Sequence, residues 1–341
     1  MRALVTGGLG FIGCNLTSRL LREGHEVAIY DNASRAGVLG NLEWLREEYP
    51  GRVQWIEGDV RDVAAVGRAM QGAGMVFHFA AQVAVTTSVA NPREDFEVNA
   101  LGTLNVLEAA RRLNPKPIVL FTSTNKVYGG LEGVRVAEAE TRYRLVDCER
   151  GIPETFPLDF HSPYGCSKGA GDQYVRDYYR IFALPTIVFR MSCIYGRRQM
   201  GNEDQGWVAH LVRTALQGEE VRIFGDGKQV RDLLYVEDLI EAMLRAVSRV
   251  DHTAGQVYNL GGGPAHTLSV WVELREYLRE LLGRVPEARL GPWRPGDQRI
   301  YISDIRKAQR DLDWAPKVTV AEGLQRMIED WQLRGVATRA S

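Results

Sequence analysis

The residues best placed to do chemistry are Tyr164 and Lys168, in the stretch Asp159-Phe-His-Ser-Pro-Tyr-Gly-Cys-Ser-Lys168. They are four residues apart in a segment whose apolar spacing continues through Val175 and Tyr179, so a helix would stack both side chains on one face. An ammonium beside a phenol favours the ionised phenol and is expected to lower its pKa. A phenolate held that way can take the proton of an alcohol as hydride leaves the same carbon. The upstream stretch Thr122-Ser-Thr-Asn-Lys-Val-Tyr-Gly129 offers the Thr124 hydroxyl to complete a hydrogen-bond relay. A Tyr-x-x-x-Lys pair alone is also what an ordinary surface helix carries. Its meaning depends on what else the chain positions.

The amino terminus supplies that context. Arg2-Ala-Leu-Val-Thr6 is an apolar run followed by Gly7-Gly-Leu-Gly-Phe-Ile-Gly13 and then a helical pattern through Leu16, Leu20 and Leu21. Strand, glycine turn and helix in that order form a dinucleotide fingerprint, in which backbone N–H groups at the helix start meet a pyrophosphate. A second strand, His25 to Tyr30, ends in Asp31, eighteen residues after Gly13. An acid there accepts hydrogen bonds from an adenosine ribose and repels a 2′-phosphate, which favours NAD over NADP. Arg35 is the one nearby residue that could face a phosphate instead.

Alternation of strands and helices continues. Strand-like runs at 52–57, 75–79, 118–121 and 186–189 predict, with the first two, a doubly wound parallel sheet of the α/β class. Ligands in such sheets lie beyond the carboxyl ends of the strands. The glycines, Asp31, Asp59, Ala80 to Gln82 and Thr124 all fall at such ends. The long connection between Gly129 and Ser162 reads as a wall or lid over a substrate site. After Arg190 the pattern changes. Helices are expected at 207–216, 236–247, 268–282, from Asp304 and at 320–333, and strands at 221–224, 230–235 and 257–260. The expected division is a dinucleotide-binding Rossmann domain over 1–190, with parts of 228–262, then a smaller interleaved α/β substrate domain over 191–333, and a frayed tail at 334–341.

Composition narrows the function. A chain of 341 residues, 45% hydrophobic, with a formal net charge of −1, is ordinary for a globular protein and has no basic run for nucleic acid. No apolar stretch is long enough to span a membrane, and no signal peptide is evident. Cys14, Cys148, Cys166 and Cys193 lack metal-ligand spacing and read as free thiols of a cytoplasmic protein, so no metal is expected.

Together with His78-Phe-Ala-Ala-Gln82, Val98-Asn99, Val230-Arg-Asp-Leu-Leu-Tyr-Val-Glu-Asp238 and Arg294-Pro-Gly-Asp297, these motifs cover essentially the whole chain. The sequence resembles the extended short-chain dehydrogenase/reductase family, the NAD-dependent nucleotide-sugar epimerases and dehydratases. The resemblance implies a cofactor site of Gly7, Gly10, Phe11, Ile12, Gly13, Asp31, Asn32, Ser34, Arg35, Asp59, Val60, Phe79, Ala80, Ala81, Gln82, Asn99 and Thr122. Tyr164 and Lys168 complete that site and, with Thr124, would form the catalytic set. It further implies a substrate site of Gln82, Thr86, Thr124, Asn125, Lys126, His161, Cys193, Gln205, Arg231, Arg294 and Asp297. The arginines are the candidates for the diphosphate. A homodimer through the 99–113 and 164–182 helices is implied as well.

Two departures matter. The 4,6-dehydratases carry an Asp–Glu pair where this chain has Asn125-Lys126, which cannot shuttle the same protons. Most relatives carry asparagine at Cys193, and a thiol is a poor donor. The stretches around Gln82-Val-Ala-Val-Thr-Thr-Ser88, Thr122–Gly129, Asp159–Lys168, Glu140-Thr-Arg-Tyr143 and Gln205-Gly-Trp-Val are similar to one subgroup, the CDP-paratose (CDP-tyvelose) 2-epimerases. That resemblance implies inversion at C2 of a CDP-hexose by transient oxidation. Epimerisation at C4 of UDP-sugars, and NAD sensing without catalysis, are the rival readings.

Overall fold

The computed structural model describes residues 1–294 and 297–335. Seven strands form one parallel sheet: β1 (Arg2–Thr6), β2 (Glu26–Asp31), β3 (Val53–Glu57), β4 (Met75–His78), β5 (Ile118–Thr124), β6 (Thr186–Met191) and β7 (Val257–Leu260). Their order is 7-6-5-4-1-2-3. The direction of winding reverses between β1 and β4, which leaves a crevice at the carboxyl ends of the strands. Thr6 is in register with Tyr30 on one side and His78 on the other, and Thr124 with Met191. The doubly wound α/β class expected from the sequence is the one observed.

Why these runs are strands is plain from their composition. Buried on both faces by helices, β1, β4 and β5 read as unbroken apolar segments, and Val5, Phe77, Leu120 and Phe121 are wholly buried. The helix Phe11–Arg22 lays Leu16, Leu20 and Leu21 on the sheet. A helix from late in the chain, Val236–Ser248, packs beside it and is tied to it by the Arg19–Glu241 ion pair at 3.1 Å. β7 likewise comes from beyond residue 190, so the chain re-enters the large sheet after leaving it.

The remainder forms smaller sheets. Val230–Tyr235 pairs with Cys193–Tyr195 and Ile300–Tyr301 in parallel and with Thr267–Ser269 antiparallel. Val221–Phe224 runs parallel to Ala288–Gly291. The helix expected over 268–282 begins only at Leu274, because residues 267–269 extend Val230–Tyr235 as a strand. Ladder hydrogen bonds there outweigh helix propensity. The helix expected from Asp304 starts at Arg306, and that expected from Val320 runs to Leu333 with Thr319 as its cap.

The connection from Gly129 to Ser162 is anchored to the rest of the fold along its length. It contains an antiparallel hairpin, Val136–Glu138 with Tyr143–Leu145. Tyr143, Leu145 and Ile152 share a buried cluster with Val230, Ile300 and Tyr301. The Tyr143 N–H donates to the Lys228 carbonyl at 3.1 Å, and Ile152 bridges to Ser303. Of the expected tail, Arg334 is tied to Asp330 at 2.5 Å, and 336–341 lie outside the described residues.

Candidate active site

The helix Ser162–Phe182 carries Tyr164 and Lys168, and its glycines decide how close it comes to the sheet. A Cβ on Gly169 would stand 2.5 Å from the Phe160 ring, and one on Gly171 would stand 3.1 Å from Phe121 of β5. That close approach brings the first turns of the helix to the carboxyl end of β5, where Thr122 and Thr124 lie. Ser88 fixes the helix start by accepting the Tyr164 N–H at 3.1 Å.

Within this junction the charges do not behave as the spacing suggests. Burial pushes the Tyr164 phenol up to about 12; the Thr124 hydroxyl opposes this, and the Asp95 carboxylate adds to it. Burial also pulls the Lys168 ammonium down to about 7, against the fields of Asp172 and Asp95. Lys168 lies 4.2 Å from the centre of the Phe121 ring. The expected lowering of Tyr164 by Lys168 is therefore corrected: removal from water dominates both groups. Thr124 also accepts the Lys126 N–H at 3.2 Å and caps the short 3-10 turn Asn125–Tyr128.

The glycine turn is a cradle with no spare volume. Gly7 sits at a φ of +69°, and a Cβ there would be 2.6 Å from the Ala80 nitrogen; a Cβ on Gly13 would be 2.3 Å from the Gly7 carbonyl. Gly10 begins the helix Phe11–Arg22 with no side-chain cap and no acid in the first turn. Its leading N–H groups are thus free of internal acceptors, which suits an anionic pyrophosphate. Asp31 takes the Leu9 N–H at 3.0 Å and the Ala33 N–H at 2.9 Å, bracing this turn from the end of β2. Asn32 donates to Asp59 at 3.0 Å and accepts the Ser34 N–H, while Asp59 is paired with Arg61. Val60 is buried beside these groups, and Phe11, Ile12 and Phe79 are partly buried. These residues fit a dinucleotide.

Other expected residues turn out to hold the protein together at the same place. Asn99 spends its amide on the Gln82 carbonyl, Asp95 and Ser167, and accepts the Gln82 N–H at 2.9 Å. It ties the Ala80–Gln82 segment to the helix Ser162–Phe182. Thr122 donates to the His78 carbonyl at 3.3 Å. Arg35 donates to Gln205, 170 residues later, so the loop after β2 meets the loop before Trp207.

Around the expected substrate side, Lys126 is lowered to about 8, first by burial and then by Arg231. Arg231 pairs with Asp297 at 2.7 Å and donates to the Val230 carbonyl. Cys193 accepts the Trp207 indole N–H at 3.3 Å, so the thiol serves as an acceptor where an asparagine would donate. Lys126, Cys193, Arg231 and Asp297 thus form one group. Arg294 lies over the Phe224 ring at 3.9 Å and beside Glu203 at 3.4 Å. His161 and Thr86 are exposed. Pro295 and Gly296 of the Arg294–Asp297 motif lie outside the described residues.

Two buried groups were not expected from the sequence. Asp95 has the signal of standing four residues before Asn99, a helical spacing. His78 sits between Thr6 at 2.7 Å and Thr103 at 3.1 Å, and burial pulls it down to about 3. Because the unfolded chain takes up that proton near the ordinary value of 6.5, stability is full above 6.5 and declines as pH falls towards 3. The slope from this group reaches about 1.4 kcal/mol per pH unit. Denaturant titration at several pH values should show a His78→Gln variant losing less stability over that range than the parent. Equal slopes would mean that His78 protonates in the folded state.

The sequence matches the family described as GDP-mannose 4,6 dehydratase over residues 4–327. The chain belongs to this family, within the extended short-chain dehydrogenases/reductases. A CDP-paratose 2-epimerase of Salmonella typhi is 44% identical over 97% of this chain and 99% of its own. Among solved structures, a Thermus thermophilus UDP-glucose 4-epimerase complexed with NAD superposes with a TM-score of 0.81 at 33% identity, covering 97% and 99% of the two chains. A Thermotoga maritima UDP-glucose 4-epimerase with UDP-glucose gives 0.84 at 32% identity over 98% and 99%. Family members thus include both epimerases and dehydratases. Among the described residues no helix is long and apolar enough to cross a membrane.

Proposed function

We propose that this protein is an NAD-dependent nucleotide-sugar epimerase that inverts C2 of a CDP-hexose of the paratose/tyvelose type. The observation that carries this reading is the junction of Tyr164, Lys168 and Thr124 at the carboxyl end of β5, with Asn125-Lys126 beside it. The full-length similarity to a CDP-paratose 2-epimerase supports the choice of substrate. When bound, NAD supplies a hydride acceptor and a nicotinamide positive charge that favours ionisation of a nearby phenol.

The protein's own groups do the rest. The glycine turn and the start of helix Phe11–Arg22 hold the pyrophosphate, and Asp31 the adenosine ribose. Tyr164 takes the proton of the C2 hydroxyl and later returns it. Thr124 hydrogen-bonds the reacting oxygen, and Lys168 holds the nicotinamide ribose and keeps a positive charge beside the phenol. Arg231 and Arg294 offer guanidinium N–H groups to the diphosphate. The keto sugar turns within the site between the two proton transfers, so no net oxidation occurs. Asn125-Lys126 speak against dehydration, since an amide and an ammonium cannot give and recover the protons that an Asp–Glu pair would. The helical segments on either side of this junction also leave apolar side chains at the surface. Phe96, Leu101, Tyr174, Tyr179, Ile181 and Phe182 are exposed there, which supports a homodimer formed through these helices.

Proton NMR of CDP-tyvelose incubated with the purified protein, with no NAD added, tests the reading. Appearance of CDP-paratose is the expected result and would also demonstrate a retained cofactor. No change even after NAD is supplied, with conversion of UDP-glucose to UDP-galactose instead, would replace C2 by C4 epimerisation.

A further inference from the structure

Asp95 is a buried charge that the mechanism above leaves without a task. It belongs to the short helix Pro92–Phe96, which packs against the helix carrying Tyr164 and Lys168, and it is 1% exposed. One carboxylate oxygen accepts the Gln82 side-chain amide at 2.8 Å and the Asn99 amide at 3.1 Å. The other oxygen is buried and makes no hydrogen bond of good geometry among the described residues; burial raises this carboxyl, and the nearby Ser167 hydroxyl, the Gln82 amide and the Lys168 charge oppose that rise. A carboxylate in that position is costly unless a nearby cation compensates it.

The surroundings name the cation. Helix Ser162–Phe182 presents Tyr164, Lys168 and Asp172, and Asp172 is already committed to Arg190 at 2.8 Å. From β4 comes only His78, which burial keeps neutral. The helix Val85–Ala90 has no titratable side chain. On the near side of Asp95 itself, Glu94 is exposed and Arg93 pairs with Glu97 at the surface. Lys168 is therefore the cation left to balance Asp95.

We propose that Asp95 is a positioning residue for proton transfer, its clamped carboxylate adding to Asp172 a second buried negative charge that helps keep Lys168 cationic and, unlike Asp172, also sets the acidity of Tyr164. The proposal rests on the assignment of Tyr164 and Lys168 as the proton-transferring pair. Its field acts on both partners in the same direction, holding Lys168 protonated and resisting loss of the Tyr164 proton. Gln82 and Asn99 fix the carboxylate's orientation, and through Asn99 the same clamp reaches Ser167, next to Lys168. Asp95 touches neither the reacting phenol nor the ammonium by a hydrogen bond. It works through them.

The test is the Asp95→Asn holoenzyme, with two readouts. Loss of the negative charge should move both limbs of the kcat–pH profile to lower pH by about one pH unit, because both Tyr164 and Lys168 then give up protons more readily. Ultraviolet titration of tyrosinate, taken as the difference from the same protein carrying Tyr164→Phe, should show the Tyr164 step moving the same way. A kcat profile that is scaled down without displacement, or a Tyr164 step that does not move, would overturn the proposal and reduce Asp95 to a packing role. Should the asparagine variant not fold, Asp95→Ser removes the same charge and is expected to give the same displacement. A wild-type protein that epimerises no nucleotide sugar would refute the proposed function, and the tyrosinate titration would still decide the role of Asp95.

Discussion

A Tyr164→Phe variant should lose turnover by about 10³-fold while holding its NAD as firmly as the parent protein. The substitution removes one oxygen and leaves the ring, so the packing of helix Ser162–Phe182 on β5 is preserved. What disappears is the group proposed to accept and return the hydroxyl proton. Thr124 remains, but an aliphatic hydroxyl is far too weak an acid to take over. NMR of the nucleotide sugar measures the rate, and absorbance of the nucleotide released on denaturation measures retained NAD. Undiminished turnover would remove Tyr164 from the mechanism. Equal NAD content with no turnover in either protein would favour a cofactor-sensing role over catalysis.

A Gly13→Ala variant should fail in the opposite way, losing the cofactor and some of the fold with it. The added Cβ would stand 2.3 Å from the Gly7 carbonyl oxygen and 2.6 Å from the Gly8 Cα. Both are backbone atoms of the turn proposed to receive the pyrophosphate, so neither can swing aside as a flexible side chain would. Relief requires the turn to move away from the helix start, and that opens the cradle. Overpacking of this kind costs about 1–3 kcal/mol of stability. The purified variant should carry little nucleotide and show a lowered Tm that added NAD does not restore. Full occupancy would mean that the pyrophosphate lies elsewhere. Together the two variants separate holding the cofactor from using it.

Much of this site is legible in the amino-acid sequence alone. The glycine turn, Asp31 and the Tyr164–Lys168 pair are local patterns whose meaning follows from backbone geometry and helical spacing. The apolar runs of β1, β4, β5 and β6 announce a parallel sheet because strands covered on both faces cannot alternate. The departures at Asn125, Lys126 and Cys193 are readable too, since they are differences of side-chain chemistry.

What resisted reading is what depends on approach between distant segments. The Gly129–Ser162 connection is anchored by a hairpin and by contacts with Val230, Ile300 and Tyr301. Residues 267–269 are strand because a partner strand lies beside them, a fact absent from their own sequence. Arg35 and Gln205 meet across 170 positions.

The sequence by itself determined the class of fold and the dinucleotide fingerprint, and it named the groups proposed to move a proton. Only the tertiary structure decided their electrical state. Burial raises Tyr164 to about 12 and lowers Lys168 to about 7, and a buried carboxylate at Asp95 lies between the Ala80–Gln82 segment and the helix Ser162–Phe182. The reason is physical: spacing sets which groups can meet along a helix, whereas acidity depends on how much water and which charges the whole fold leaves around them.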